Sequence, residues 1–274
     1  MKKTLAIALA LALMLSFVSC STAGTSEKQQ LKVGMECNYT PFNWTQMDDS
    51  NNAVSISTGG YAGGYDVEIA KLLAEALDRE LVIVKTEWDG LIPALNSGKI
   101  DVVIAGMSPT AKRAESVDFS DPYYESELVL VVNKDGAYAS ATSLADFSGA
   151  KITAQLNTFH YTVIDQIPGV AKQTAMETFP AMIVALNSGK IDGYVSERPG
   201  AVSAMAANSG ISYVEFEEGK GFEASKEDVA ISVAVKKGSE EFVQSINDAL
   251  AAISQETREE MMNAAVENQP INEE

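Results

Sequence analysis

Histidine occurs once in the 274 residues and cysteine twice. One imidazole cannot supply a multi-histidine zinc site, and it leaves a serine–histidine–aspartate triad resting on a single candidate base. Two cysteines are too few for a disulfide framework. Basic residues are also scarce, 20 against 38 acidic ones, for a formal net charge of −18. Nucleic-acid binding needs clustered Lys and Arg to displace counterions from phosphate, so the composition speaks against that class of partner. No glycine-rich P-loop is present, so the chain is not expected to hydrolyse ATP. Neither a metal nor a cofactor is expected. What remains is an ordinary folded composition, 46% hydrophobic and 21% charged, over a length of about two domains.

Lys2 and Lys3 precede an unbroken apolar run over 5–15, and Ser16, Phe17, Val18 and Ser19 lead to Cys20. This layout predicts a secretory signal peptide over 1–19, too short to be a membrane span. The ending Phe-Val-Ser-Cys resembles the lipobox of bacterial lipoproteins, with Phe17 where leucine is usual. That resemblance implies a lipid on Cys20 and an extracytoplasmic location at the cell membrane. The polar stretch to residue 30 then reads as a lipidated tether, 20–30. Cys37 is left without a partner and is expected to be a small buried hydrophobe.

The body alternates strand and helix signals. Residues 31–35 alternate like a strand, and 66–77 place Ile69, Leu72, Leu73, Ala76 and Leu77 on one helical face. The β-branched run 81–84 suits a strand buried on both faces. A short helix over 91–96, with Asp89 near its start, and a strand over 101–105 follow. Such alternation predicts an α/β fold with a mostly parallel sheet. The octet ALNSGKID stands at 94–101 and again, identically, at 185–192. A helix ending on a left-handed glycine and a strand opening at Ile-Asp account for its reuse. Two lobes of the same design are therefore expected. Beyond the octets come Gly106, Ser108 and Arg113 in one lobe and Glu197 in the other, all at the carboxyl ends of strands, where ligands of open α/β sheets collect. A cation and a hydroxyl facing a carboxylate would clamp a small zwitterion.

The stretch 86–132, with TEWDGLIPALNSGKID, AGMSPTAKR and DFSDPYY, resembles the polar amino-acid-binding proteins of ABC importers, solute-binding-protein family 3. The likeness continues in Val33-Gly34-Met35-Glu36, in Tyr39-Thr40-Pro41-Phe42 and in Gly64-Tyr65-Asp66-Val67. The resemblance implies a two-lobed periplasmic-binding-protein-like (type II) fold with two crossover strands. Matched by position, the crossovers fall near 123–127 and 227–231. Lobe 1 would then hold 31–122 and 232–274, and lobe 2 would hold 128–226. The implied function is capture of a free amino acid by a monomer and delivery to a membrane permease, without catalysis. A dehydratase on the same scaffold, such as cyclohexadienyl dehydratase, is the alternative; Glu36 or Glu197 would be its general acid.

The resemblance also assigns contacts. Arg113 matches the family's arginine for the ligand carboxylate, with Ser108 and the open backbone of Gly106 beside it. Glu197 stands where aspartate usually accepts the ligand ammonium. Tyr39 and Trp88 match the aromatic sandwich for the side chain. Glu36 matches an acidic position at the ligand's distal end, which points to lysine or arginine ahead of glutamine or cystine. In lobe 2, Asn157-Thr158-Phe159 replaces Gly-Thr-Thr or Gly-Thr-Gly; Thr158 keeps a donor, and Phe159 is expected to reshape the pocket. His160 is expected at the pocket rim or as a cap, not as a catalyst.

Overall fold

The computed structural model describes residues 28–270. The leader over 1–19, Cys20 and the tether as far as residue 27 lie outside the described residues. Gln30, read above as the last tether residue, is instead the first residue of a strand, paired with Glu80.

In chain order, β1 (Gln30–Met35) is followed by the short strands β2 (Asn38–Tyr39), β3 (Asn43–Gln46), β4 (Val54–Ser55) and β5 (Tyr61–Gly63). Next come α1 (Tyr65–Ala76), β6 (Glu80–Lys85), α2 (Leu91–Asn96), β7 (Val102–Val103), the one-turn helix α3 (Ala111–Ala114) and β8 (Val117–Glu125). The middle of the chain gives β9 (Leu128–Asn133), β10 (Lys151–Thr153), α4 (Phe159–Val163), β11 (Ala171–Lys172), α5 (Phe179–Asn187), β12 (Gly193–Glu197), α6 (Arg198–Ala207) and β13 (Ile211–Val214). The chain closes with α7 (Lys226–Val229), β14 (Ala230–Lys236), α8 (Glu240–Ala251) and α9 (Gln255–Asn268).

Two five-stranded sheets carry the architecture, in the orders β6-β1-β7-β14-β8 and β11-β10-β12-β9-β13. The remaining strands form a small antiparallel sheet, β2-β3-β5-β4. In the first large sheet β1 runs parallel to β6 and β7, while β14 runs antiparallel to β7 and β8. The second repeats this pattern: β10 is parallel to β11 and β12, and β9 is antiparallel to β12 and β13. The expected mostly parallel sheet is thus corrected to a mixed one. The cause is the route of the chain. β9 and β14 each enter a sheet from the other sheet, so each runs against strands whose carboxyl ends face the cleft. The two passages run side by side, with Ala230 opposite Glu125 and Ser126 N donating to Val229 O at 3.1 Å.

The repeated octet has one geometry at both sites. Gly98 and Gly189 follow α2 and α5 with φ of 74° and 70°, a left-handed conformation that favours glycine. Asp101 and Asp192 do not open a strand. Their carboxylates accept from the backbone N–H of Lys32 and Lys151, each at 2.8 Å, and tie the returning chain to the neighbouring strand. The predicted strand over 101–105 shrinks to Val102–Val103.

Other local readings shift with burial. β6 is an edge strand in which only Ile83 is fully buried, so 81–84 is not covered on both faces. The buried face of α1 is Tyr65, Asp66, Val67, Ile69, Ala70, Leu73 and Ala74, and it leaves Ala76 exposed. Cys37 is buried, as expected of a small hydrophobe, but at a φ of 54°. Burial pushes its thiol up to about 12. Ile246 and Leu250 of α8 are buried in the larger hydrophobic core, with Phe242 and Ile253 packed against it. That core continues through Tyr39 and Phe179 to Tyr194, so apolar contact crosses between the sheets.

Candidate functional site

The carboxyl ends of β1, β7, β10 and β12 bring most of the sequence-selected residues to one cleft. On the first sheet's side, Glu36 follows β1, Tyr39 lies in β2 of the small antiparallel sheet, and Trp88 opens a 3-10 turn before α2. Gly106 and Ser108 follow β7, and Thr110 caps α3 by accepting from Arg113 N at 3.4 Å. That cap fixes where the Arg113 side chain leaves the helix. Its Nη1 donates to Ser108 O at 2.9 Å and its Nη2 to Asn157 O, across the cleft, at 3.3 Å. The guanidinium lies 5.0 Å from the Trp88 ring centroid, a cation–π contact. Burial pulls Arg113 down to about 10, against the pull of Glu197 and Asp228, so it remains a cation at neutral pH.

The second sheet answers with a carboxylate. Glu197 ends β12 and is buried. Its Oε1 accepts from His160 Nε2 at 2.9 Å, and its Oε2 accepts from the Tyr39 hydroxyl. Burial pushes its carboxyl up, but the His160 imidazole and these hydrogen bonds outweigh that and hold it below the usual range. Glu197 therefore stays ionised inside the protein. Tyr39 stacks on Phe179, with ring centroids 4.1 Å apart and planes 9° from parallel. Its own hydroxyl is pushed far up by burial and by the neighbouring Glu197.

A second polar contact spans the cleft beside this one. Gln155 Nε2 donates to both Glu36 oxygens, at 3.3 and 3.2 Å, and to Glu177 O at 3.0 Å. Burial, with the Glu87 and Asp89 charges, raises the Glu36 carboxyl to about 7, although Gln155 and Lys85 pull it down. A carboxyl raised above its unfolded value of 4.5 contributes stability that is fully present below that value. The contribution is lost as pH rises through about 7. Glu36→Gln, which keeps an acceptor and cannot ionise, is expected to be more stable than the parent at pH 8, by on the order of 3 kcal/mol. The difference should vanish in acid. Urea denaturation at the two pH values checks this; equal stabilities at pH 8 contradict it.

The structure places several expected contacts differently. Tyr39 and Trp88 do not face each other as a bare sandwich: Phe179 covers one and Arg113 the other. Gly106 is less open than expected, because its N–H donates to the Tyr123 hydroxyl at 3.3 Å and the Tyr39 ring packs on it. With φ of 61° and a Cβ that would come 2.8 Å from Tyr39 Cε1, this position requires glycine. Thr158 donates to Gln155 O at 2.7 Å, and Phe159 lines the cavity. Asp89 gives α2 no cap; it accepts from Asn157 Nδ2 across the cleft at 2.9 Å. His160 is a buried partner of Glu197 and not a rim residue.

Sequence reading missed Gln155 and Phe179. Gln155 had a signal, since it lies just ahead of the Asn157-Thr158-Phe159 segment already singled out; Phe179, at the start of α5, had none. Tyr39, Trp88, Gly106, Ser108, Arg113, Gln155, Thr158, Phe159, His160 and Phe179 line a small cavity with free space of about 10 Å³, about what one water molecule occupies, and Glu36 and Glu197 are not part of that lining. It adjoins an outer cavity of about 760 Å³ that shares Trp88, Arg113, Thr158 and Phe159.

A family model for bacterial extracellular solute-binding proteins, family 3, matches residues 31–265. The chain is similar to a probable histidine-binding protein of Campylobacter jejuni, with 36% identity over 194 residues, 70% of each chain. It is also similar to the ABC transporter arginine-binding protein 1 of Escherichia coli, with 28% identity over 245 residues, 88% of this chain and 90% of the relative. Among solved structures, it resembles an amino acid ABC transporter substrate-binding protein from Streptococcus pneumoniae bound to L-arginine. That match has a TM-score of 0.76 at 26% identity and covers 87% of this chain and 94% of the other.

Proposed function

The chain belongs to the bacterial extracellular solute-binding proteins, family 3, and from that premise we infer that it is the amino-acid-binding component of an ABC importer. One observation carries the reading from membership to mechanism. A guanidinium backed by an indole face lines one side of the cleft, and on the other a buried ionised carboxylate stands directly behind Tyr39 and His160. The planar fork of Arg113 suits a carboxylate, giving two parallel charged hydrogen bonds in place of its present carbonyl partners. The Glu197 side suits an ammonium. Ser108 and Thr158 border the carboxylate end, and Trp88 and Tyr39 supply apolar faces for the ligand's stem.

Free space of about 10 Å³ does not hold an amino acid, so capture involves a relative movement of the two sheets. The contacts that exchange are Tyr39–Glu197, Glu36–Gln155 and the pair from Asn157 to Arg113 and Asp89. In this reading lobe 1 comprises 31–122 and 232–274, lobe 2 comprises 128–226, and the passages at 123–127 and 227–231 bend. The protein acts as a monomer, held at the membrane by lipid on Cys20 after loss of the 1–19 leader. It hands its ligand unaltered to a permease.

The ligand is a basic amino acid, with the Glu36 carboxyl as counter-charge at the far end of the cleft. A buried cation without such a partner loses its hydration for no return. Arginine and lysine are therefore expected to raise the melting temperature more than citrulline and norleucine, and Glu36→Gln should shrink the difference. Saturation at about 100 times the dissociation constant adds about 2.7 kcal/mol, enough to read in a thermal-shift screen of the twenty amino acids. A largest shift from glutamine, with none from arginine or lysine, contradicts the cationic ligand.

A further inference from the structure

His160 is the one histidine of the chain, and its two ring nitrogens have different surroundings. Nε2 donates to Glu197 Oε1 at 2.9 Å. Nδ1 is buried with no hydrogen-bond partner among the described residues, and no other residue lining the inner cavity has an unpartnered buried side-chain polar atom there. The His160 ring meets Phe179 edge to face at 6.5 Å, which limits how far it can turn. The other Glu197 oxygen is taken by Tyr39. An ammonium bound directly on Glu197 would share an oxygen with one of these donors or displace it, and a displaced donor would be left buried and unpaired.

We propose that His160 is a ligand-contacting residue standing between Glu197 and the ligand's ammonium group. Nε2–H stays on the Glu197 carboxylate, and the Nδ1 lone pair accepts a hydrogen bond from the ammonium. The hydrogen bond made by one ring nitrogen sets the protonation of the other, and the carboxylate holds the imidazole in the tautomer that leaves Nδ1 bare. Any proton on Nδ1 in the free protein leaves to solvent as the ammonium arrives, so charge balances. This inference rests on the amino-acid reading above and assigns its ammonium subsite to an imidazole backed by a carboxylate. The charged and titratable groups around the pair are Tyr39 from β2, Arg113 from α3, Asp66 in α1, Tyr124 in β8 and Tyr194 in β12. Burial raises the Glu36 carboxyl to about 7, so the test of His160 is run at one fixed pH.

A single histidine makes the test direct. Untagged protein labelled with ¹⁵N-histidine gives one pair of ring-nitrogen signals, followed at about pH 7 during titration with L-arginine and, separately, L-glutamine. In the saturated protein Nε2 is expected to be protonated and Nδ1 bare, with the Nδ1 signal displaced by binding. A saturated complex whose Nδ1 is protonated, or whose Nδ1 signal has not moved, overturns the inference. His160→Gln keeps an amide N–H for Glu197 and removes the acceptor from the Nδ1 position, its own amide oxygen being attached one carbon further along the side chain. It is expected to bind L-arginine about 10- to 100-fold more weakly, as for loss of one hydrogen bond to a charged group. Unchanged affinity in that variant also overturns the inference. If none of the twenty amino acids raises the melting temperature, the amino-acid reading falls and takes this inference with it. A ligand that raises it while Nδ1 stays unmoved removes only the role of His160.

Discussion

Arg113→Ala is expected to abolish measurable amino-acid binding while the protein stays folded. The described polar partners of Arg113 are two carbonyl oxygens, Ser108 O and Asn157 O, and its only described aromatic partner is Trp88. None of these depends on a matching charge, so alanine leaves no stranded carboxylate and stability changes little. Binding is different. Truncating one partner of a buried charged pair costs about 2–5 kcal/mol, or roughly 30- to 4000-fold in affinity. Calorimetric titration of parent and variant, with circular dichroism as the folding control, reads both quantities. Arg113→Lys keeps the charge but loses the planar fork, and it should fall between them. Undiminished binding in Arg113→Ala removes this residue from the site.

Asp66→Ala is expected to produce the largest loss of stability of any substitution near the cleft. The Asp66 carboxylate is fully buried and accepts from Asn43 Nδ2 at 2.8 Å and from the Tyr123 hydroxyl at 2.7 Å. Burial raises its carboxyl to about 6, while Tyr123, Asn43 and the Gly106 N–H pull it down, so it is mostly ionised at neutral pH. Removing it strands an amide and a phenol in the core. The expected cost is about 3–5 kcal/mol, which lowers the melting temperature by roughly 6–20 °C in a chain of this size. The same change loosens Gly106, whose N–H is held by the Tyr123 hydroxyl, so ligand affinity should fall as well. Asp66→Asn, which retains one acceptor, should lose less. A melting temperature within a degree or two of the parent contradicts this account of the network.

Features decided within a few residues were legible in the sequence. The octet ALNSGKID announced a helix end and a left-handed glycine, and both copies fold that way, although the strand opens one residue later than the octet suggests. Arg113 and Glu197 were selected because strand ends mark where α/β sheets collect ligands. Contacts made across the cleft were not legible. Tyr39 and Glu197 are 158 positions apart, and Glu36 and Gln155 are 119 apart. Neither partner's neighbours carry a pattern that names the other. The same holds for the pairing that makes His160 a buried neighbour of Glu197. β6 was misjudged because a β-branched run looks alike at a sheet's centre and at its edge, and only strand order tells them apart. Asp89 shows a related limit: an acidic residue near a helix start suggests a cap, but here a longer-range donor, Asn157, takes the carboxylate.

The central claim is that this cleft holds a free amino acid and returns it unchanged. The most direct measurement is mass spectrometry of small molecules released by denaturing the natively purified protein. The expected result is a single α-amino acid, arginine, lysine or another basic one, at close to one molecule per chain and lost in Arg113→Ala. Release of a compound lacking either a carboxylate or an amine, or of a dehydrated product in place of an intact amino acid, contradicts the account.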